Sequence, residues 1–462
     1  MRSARPLVLF AVLALVVAGC GGDTGGAETT EAAPDTTVAP DTTAAPDTTE
    51  AEMMDLAFDF GFDEATGTIS LGALAAISGP IPDIGASVLH GHQVYWEKVN
   101  ANGGVAGTYP VEIVERDNEY NSEVNKVVFA EIKDEVLAFS SSLGTPSTAS
   151  IQEESAADGI VVGAGTLASQ WALTENIILN LAANTYFAQF ANAPYWATEV
   201  ADPAVITDAN VIGLIYQSDD YGQDCLNGLN FGMENTGLTL AYEATYAVGD
   251  EDFSAQVGGA QANGVDVLFI CATPGVLAGI LGTAAAIEYS PTVLGSSPSY
   301  NPVLPAALGG GDEEAGLALF SSFPYYGLGA GPQFEDDTPG MTDLRDDLET
   351  YGPSIPVPDE EVNAFFYFGY SQAKTFHEVL EVAVANGDIT RPGILEAIPT
   401  MQNVDMGFGG APGGYGPTPL DRIPSNEDNI GVPVSVSETR FGLSDVSGYF
   451  VAPYMSEWDP AG

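Results

Sequence analysis

Short apolar runs alternate with longer stretches of helical periodicity through most of this chain. After about residue 66, apolar runs predict two series of β-strands, at 69–76, 111–115, 136–139 and 160–162, and then at 211–216, 238–242, 265–271 and 292–294. Apolar residues recur at helical spacing over 85–102, 224–234, 253–262 and 361–385. Strands that alternate with helices are typical of parallel sheets covered by helices on both faces, and two such series predict two α/β lobes.

The first twenty residues have a different pattern. Two arginines precede a continuous apolar stretch of 12 residues at 7–18. Such a stretch is too short to span a bilayer and is typical of a secretory signal peptide. The sequence Val-Ala-Gly-Cys at 17–20 resembles the bacterial lipobox, which implies a signal peptide at 1–19 and lipidation of Cys20. An ordinary signal peptide that contains a cysteine is the alternative.

A low-complexity segment follows the signal. Ala-Pro-Asp-Thr-Thr occurs three times with a period of six, from Ala33, Ala39 and Ala45. The segment has almost no large apolar residue that could form a core. We therefore assign 20–65 to the lipidated cysteine and a disordered spacer, and we expect the folded part to begin near Thr66.

The chain is strongly acidic, with 64 acidic residues against 11 basic ones and a net charge of −53. This field repels nucleic acid and anionic lipid, so we exclude both as partners and expect membrane contact only through the lipid anchor. A surface adapted to high salt explains the charge better than a metal-scavenging surface does. Besides Cys20, only Cys225 and Cys271 occur, and from sequence they are either a disulfide or two separate buried thiols.

Motifs for catalysis or metal binding are missing. His90 and His92 lie two apart on a predicted helix, where they point to different sides, so packing is favoured over a shared metal. The sequence has no His-Glu-x-x-His and no Gly-x-Ser-x-Gly. Acidic clusters such as 312–314 lack the ligand spacing of a calcium loop. We therefore predict a protein that is not an enzyme and has no metal or cofactor.

Small and hydroxyl residues gather at the ends of four predicted strands, at 140–146, 163–166, 219–222 and 272–275. Open α/β sheets bind ligands at the carboxyl ends of their strands. Glycine lets the backbone approach a ligand, and hydroxyls with free amides can bind an anionic group. Strand–helix turns favour these residues as well, but four such clusters in two lobes indicate a small-molecule site between the lobes.

Several stretches resemble one known family. Ile-Ser-Leu-Gly-Ala-Leu at 69–74, Ser-Gly-Pro at 78–80, Asn-Gly-Gly-Val at 102–105, Ser-Leu-Gly-Thr-Pro at 142–146 and Ser-Asp-Asp-Tyr-Gly at 218–222 resemble the branched-chain amino-acid-type substrate-binding proteins of ABC importers. The likeness runs from about residue 66 to 400. It implies the type I periplasmic-binding fold, in which two doubly wound α/β lobes are joined by a three-strand hinge and close on a ligand.

The family's hinge crossings correspond to residues near 183–187, 320–324 and 430–436. Lobe 1 then comprises 66–184 with 323–432, and lobe 2 comprises 185–322 with 433–462. The resemblance implies ligand contacts at Gly144, Thr145, Gly165, Thr166, Tyr221, Thr273, Ser297 and Phe365. Gly144 and Thr145 match the position that binds the ligand carboxylate, and Tyr221 matches a lobe 2 tyrosine that closes on the ligand.

One segment departs from the family. Amino-acid binders place an acidic residue after the strand at 292–294, whereas this chain has Gly-Ser-Ser-Pro-Ser at 295–299. A buried ammonium group without a carboxylate partner is costly to desolvate. The ligand class implied by the resemblance therefore extends from amino acids to amides, small carboxylates and aromatic compounds.

Together these features predict a monomeric solute-binding lipoprotein at the outer face of a bacterial cell membrane. It would capture a small molecule (an amino acid, an amide or a small carboxylate) between its lobes and deliver it to an ABC permease. An extracellular sensor of the same fold is the alternative. A secreted hydrolase is less well supported, because the sequence lacks a nucleophile–base constellation.

Overall fold

The computed structural model describes residues 56–181, 184–401, 404–411 and 413–461. The predicted signal peptide, Cys20 and the spacer up to residue 55 lie outside the described residues, and what the sequence predicts for them stays a prediction. The strands are β1 (Ala57–Phe58), β2 (Phe62–Asp63), β3 (Thr68–Ala75), β4 (Val111–Asp117), β5 (Ala138–Leu143), β6 (Val162–Gly165), β7 (Ile178–Leu179), β8 (Ile212–Gln217), β9 (Leu240–Tyr246), β10 (Val267–Cys271), β11 (Thr292–Gly295), β12 (Tyr325–Leu328), β13 (Asp388–Ile389), β14 (Ile430–Pro433) and β15 (Leu443–Asp445).

The α-helices are α1 (Pro82–Ala101), α2 (Ser122–Ile132), α3 (Thr145–Asp158), α4 (Tyr186–Tyr195), α5 (Asp220–Thr236), α6 (Ser254–Ala262), α7 (Pro274–Ala286), α8 (Leu304–Leu308), α9 (Glu313–Ser322), α10 (Pro339–Tyr351), α11 (Ala364–Ala385) and α12 (Arg391–Ala397). In the part of the chain that the structure describes, no helix combines the length and apolar character that a membrane crossing requires.

Two separate parallel sheets form the centre of the fold. The first sheet has the order β2-β3-β5-β6-β7, with β4 on the other side of β3, and all its pairs are parallel except β2 with β3. The second sheet has the order β15-β14-β12-β11-β10-β8-β9, and it is parallel from β12 through β9. The central strands β5, β8 and β10 are buried along their whole length, as strands covered by helices on both faces must be. This is the α/β class that the alternating pattern predicts.

The chain passes between the sheets three times. It leaves the first sheet after β7, leaves the second sheet after β12, and returns to the second sheet at β14. Between β12 and β14, α10, α11 and α12 pack on the apolar core that also contains β3. β12 pairs with β11 and β14, so the second crossing comes after Leu328 rather than near 320–324. The lobe boundaries given by the sequence stay a prediction.

Local details differ from the sequence-based expectations. Each of the eight predicted strands and four predicted helices occurs, with ends shifted by a few residues. Ser140, Ser141 and Ser142 do not follow a strand but lie inside β5, because small buried side chains let it fit between β3 and β6. Two strands lie within 56–65, since β1 pairs with β13 and β2 pairs with β3. The assignment of 56–65 to a disordered spacer is therefore wrong.

Helices α1 and α11 are in very close contact. A Cβ atom placed on Gly369 would lie 1.9 Å from the backbone oxygen of Val88, and one on Gly91 would lie 2.0 Å from that of Phe366. The two backbones therefore touch at these glycines, and any side chain there forces the helices apart. Both helices pack in the core around β3. Their close contact therefore positions α11, which forms part of the wall of the site described below.

We expect Gly369→Ala to lower the free energy of unfolding by about 2 to 3 kcal/mol, because overpacking against a rigid backbone outweighs the better helix propensity of alanine. Gly282→Ala in α7 is the matched control, since a Cβ atom on Gly282 meets nothing within 4 Å. That variant should gain about 0.5 to 1 kcal/mol. Chemical denaturation of both variants measures the contrast, and equal stabilities would contradict the close helix crossing.

Candidate functional site

A large cavity lies at the carboxyl ends of strands from both sheets. Leu143 ends β5, Gly165 ends β6 and Leu328 ends β12, and all three line it. The first turn of α11, residues of α1, the segments 297–300 and 329–333, and loops within 404–411 and 424–449 form much of the remaining wall. The cavity volume is about 210 Å³. Ligands of open α/β sheets bind at this end of the strands.

The wall of this cavity is mostly apolar. Phe365 and Phe368 of α11 and Phe408 of a C-terminal loop contribute aromatic rings. Among the described residues that line the cavity, the charged ones are Asp405 and Glu427. Each already accepts a backbone hydrogen bond, from the N–H groups of residues 407 (2.8 Å) and 411 (2.6 Å) respectively. The cavity can therefore accommodate an apolar molecule, with few polar groups to orient it.

Three of the eight predicted contacts line the cavity, namely Gly165, Ser297 and Phe365. Ser297 is held by Gln189 of α4: its N–H donates to Gln189 Oε1 at 3.0 Å, and its hydroxyl accepts from Gln189 Nε2 at 3.1 Å. Phe365 lies in the first turn of α11, where the side chain of Asn363 caps the helix. Helix α4, the segment that follows β11 of the second sheet, and α11 therefore meet at one site.

Gly144, Thr145 and Thr166 form a neighbouring group that does not line the cavity. The hydroxyls of Thr145 and Thr166 are hydrogen-bonded to each other, and both residues are buried. Gly144 has a φ of 98°, and a Cβ atom on it would lie 2.6 Å from the ring of Tyr120. Tyr120 in turn accepts a hydrogen bond of 3.4 Å from Gln217, at the end of β8. The Tyr120 ring therefore packs against Gly144, the residue before α3, where the resemblance places a carboxylate.

Tyr221 and Thr273 also lie beside the cavity rather than in its wall. The Tyr221 hydroxyl lies 2.7 Å from Ser296 Oγ and donates to the backbone oxygen of Ala272 at 3.0 Å. Burial raises the pKa of Tyr221 well above its ordinary value, so its phenol keeps the proton. Thr273 is the N-cap residue of α7 and is partly exposed. The ligand-contact roles of all eight residues stay predictions.

Sequence reasoning missed Tyr120 and Gln189. Tyr120 comes three residues after β4, so the rule that located the other strand-end clusters could have found it. Gln189 lies inside α4 among aromatic residues, and nothing in the local sequence distinguishes it from a core position. Its importance comes from Ser297, which is 108 residues away in the chain.

Two buried carboxyl groups hold the crossing segments. Asp428 Oδ1 accepts hydrogen bonds from Gly329 N (2.7 Å), Asn429 N (2.9 Å) and Asn184 Nδ2 (3.2 Å), so it connects all three crossings. Burial raises the pKa of Asp428 to about 8. Asp224 of α5 accepts from the N–H groups of residues 169 and 187, both at 3.0 Å, and burial raises its pKa to about 6.

Cys225 and Cys271 form a disulfide with an S–S distance of 2.00 Å, which joins α5 to the end of β10.

Within the described part of the chain, no group of three or more histidine, cysteine, aspartate or glutamate side chains lies closely enough together to hold a metal ion. His92 is fully buried, and desolvation lowers its pKa to about 3, so it is neutral and part of the core.

Solved structures with the same fold include three binding proteins of ABC transporters. A fatty acid ABC transporter substrate-binding protein from Thermomonospora curvata matches with a TM-score of 0.76 and 24% identity, over 87% of this chain and 97% of that chain. A branched-chain amino acid ABC transporter protein from Thermus thermophilus with bound valine matches with a TM-score of 0.70 and 18% identity, over 86% and 99% of the chains. A solute-binding protein of R. palustris in complex with 4-hydroxybenzoate matches with a TM-score of 0.65 and 16% identity, over 83% and 97%.

A comparison with curated protein sequences gives no match. A comparison with family models matches residues 68–418, and the matching family is described as periplasmic binding protein. Its members are extracytoplasmic binding proteins rather than enzymes. The match covers well over half of the 462 residues and all the strands that pair in parallel within the two sheets. The chain therefore belongs to the periplasmic binding protein family.

Proposed function

We propose that this protein captures a small, mostly apolar solute in the cavity described above and delivers it to an ABC importer. The observation that supports this most directly is the cavity itself. It is large, its wall is mostly apolar, and it combines strand ends from both sheets with three of the positions expected to contact a ligand. Apolar burial is then the main source of affinity, and a few polar groups orient the solute.

The names of the structural relatives fit this ligand class. Fatty acids, valine and 4-hydroxybenzoate each combine an apolar body with a polar end. An α-amino acid suits this chain less well, because segment 295–299 has no acidic residue for its ammonium group. Ser297, which lies at that position, already bonds to Gln189.

The cellular setting is part of the proposal. Lipidation at Cys20 would hold the protein at the outer face of the membrane, and the acidic surface leaves the lipid as its only membrane contact. Gly165, Ser297 and Phe365 are the ligand contacts we propose in the cavity wall. An extracellular sensor would bind the solute in the same way and differ only in its partner.

A thermal-shift screen of the full chain in high salt tests the ligand class. The panel should contain medium-chain and aromatic acids, amides and alcohols, together with branched-chain amino acids. A solute present at 100 times its Kd should stabilise the fold by about 2.7 kcal/mol, which raises the Tm of a chain of this size by roughly 3 °C. No shift with any apolar member would contradict the proposal.

Filling the cavity should abolish this binding. Ala364 is the first residue of α11 and lines the cavity, so Ala364→Trp would occupy its volume and weaken binding at least tenfold. Ala385 ends the same helix and is exposed, which makes Ala385→Trp the matched control. Titration calorimetry with the best solute of the screen measures both. Unchanged affinity of the Ala364→Trp variant would place the ligand elsewhere.

A further inference from the structure

The loop between β14 and β15 reaches from the second sheet to the core of the first. Phe441 is 1% exposed and packs in the core that contains β3, where its ring centre lies 5.6 Å from that of Phe334. Leu443, two residues later, packs in the core formed on the second sheet. Both Phe441 and Leu443 line the cavity. Residues 434–442, which connect the two cores beside the cavity, are called the strap below.

The strap keeps its shape through internal hydrogen bonds. Its ends meet where the N–H group of Val434 donates to the backbone oxygen of Gly442 at 3.0 Å. Between them, the N–H group of Glu438 donates to the backbone oxygen of Ser435 at 2.8 Å. Compact surface loops whose ends lie close together are frequently functional. A loop built in this way can move as one unit about its ends, because its internal hydrogen bonds move with it.

Solvent and cavity lie close together at the strap. Val436, Ser437 and Glu438 are exposed, whereas Phe441, three residues further along, is buried and lines the cavity. A single turn of chain thus separates the interior from solvent on this side. Displacement of the strap would open the cavity here without any change in the strand ends or in α11.

Arg440 attaches the strap to the segment that precedes α11. Its Nε donates to the backbone oxygen of Val362 at 3.2 Å, and its Nη2 donates to that of Asp359 at 3.0 Å. The guanidinium group also pairs with the Asp359 carboxylate and lies 5.0 Å from the centre of the Phe334 ring. Because Val362 directly precedes Asn363, the N-cap residue of α11, these contacts tie the strap to the helix turn that forms part of the cavity wall.

The contacts that hold the strap can be broken without disturbing either sheet. The Arg440 side chain is 30% exposed and that of Asp359 is 94% exposed. Ion pairs at such exposure contribute little to stability, because water competes for both charges. The N–H group of Arg440 donates to the exposed Glu335 carboxylate at 3.0 Å. Release of the strap therefore gives up exposed or half-buried hydrogen bonds and the burial of one ring, that of Phe441.

We propose that the strap is the lid of the cavity: it swings away from the segment before α11 to let a solute enter or leave, and Arg440 holds it shut. This inference rests on the proposed function and adds the route by which the solute reaches the site. Arg440 does not line the cavity, so it acts on the rates of entry and release rather than through a contact with the solute. A lid that opens more often accelerates both rates, whereas loss of a ligand contact accelerates release alone.

Hydrogen exchange of the ligand-free full chain measures the opening directly. Arg440→Met keeps an apolar stem against Phe334 and removes the donors, and we expect it to accelerate exchange over 434–442 at least tenfold. Exchange over β8 should stay as in the wild type, because that strand is buried in the second sheet. Arg116→Met is the matched control, since Arg116 pairs with Glu131 at the surface and does not line the cavity. Equal exchange of the strap in the wild type and in Arg440→Met would overturn the inference.

Solute kinetics test the role of the strap as a lid. The probe is N-phenyl-1-naphthylamine, an uncharged apolar dye whose fluorescence increases on burial, and stopped-flow fluorescence gives its association and dissociation rate constants. We expect both to rise at least fivefold in Arg440→Met, with Kd changed less than threefold, and neither to change in Arg116→Met. Unchanged rates, or faster dissociation alone, would overturn the inference and leave the proposed function intact. No binding of the dye to the wild type would instead reject the proposed apolar site and, with it, the strap as its lid.

Discussion

Replacing both Cys225 and Cys271 by alanine is expected to lower the free energy of unfolding by about 4 kcal/mol. The disulfide closes a loop of 46 residues, and the entropy that such a loop loses in the unfolded chain corresponds to about this value. Both cysteines are fully buried, so the variant keeps an apolar environment around small side chains. Guanidinium denaturation of the oxidised wild type and of the double variant measures the difference.

The wild type unfolded in the presence of strong reductant is the internal control, and it should match the double variant. The bond also has a local consequence, because Cys271 Sγ lies 3.8 Å from the backbone oxygen of Tyr221. It fixes the first turns of α5, which carry Tyr221 and Asp224, against the end of β10. A loss of less than 1 kcal/mol in the double variant would show that the disulfide does not constrain the unfolded chain as proposed.

The fold was largely predictable because its signals are local. Buried parallel strands such as β8 and β10 are short apolar runs, and α1 and α11 carry long apolar periodicities. Helices with little apolar periodicity were missed, and α3, with its Thr, Ser and Glu residues, is the clearest case. Ser140–Ser142 were misplaced because small polar residues indicate a turn, although here they fill a crowded central strand.

The site was predictable only in part, because most of it depends on contacts between distant residues. The strand-end pattern located Gly165, and the family resemblance supplied Ser297 and Phe365. No local pattern shows that Gln189 holds Ser297 or that Tyr120 covers Gly144. Much of the cavity wall comes from the loop-rich C-terminal part, where glycine and proline give no periodicity to interpret.

The pH dependence of stability should change sharply when Asp428 is replaced by asparagine. The pKa of Asp428 is about 8 in the folded protein and 3.8 in the unfolded reference, so its favourable contribution is present below pH 3.8 and is lost as the pH rises to 8. Each pH unit in that window corresponds to about 1.4 kcal/mol. Between pH 4 and pH 7.5 the unfolding free energy of the wild type should therefore fall by about 4 kcal/mol more than that of Asp428→Asn.

The structure explains why this carboxyl group is costly to ionise. Its Oδ2 atom is buried without a partner among the described residues, and Asp445 adds a like charge nearby. Asp346→Asn removes an exposed carboxylate from α10 and controls for the loss of one negative charge. Urea unfolding of the wild type and both variants at five pH values gives the slopes. Parallel slopes for the wild type and Asp428→Asn would mean that Asp428 is ionised across this range and that the three crossings are joined by a charge rather than by a neutral acid.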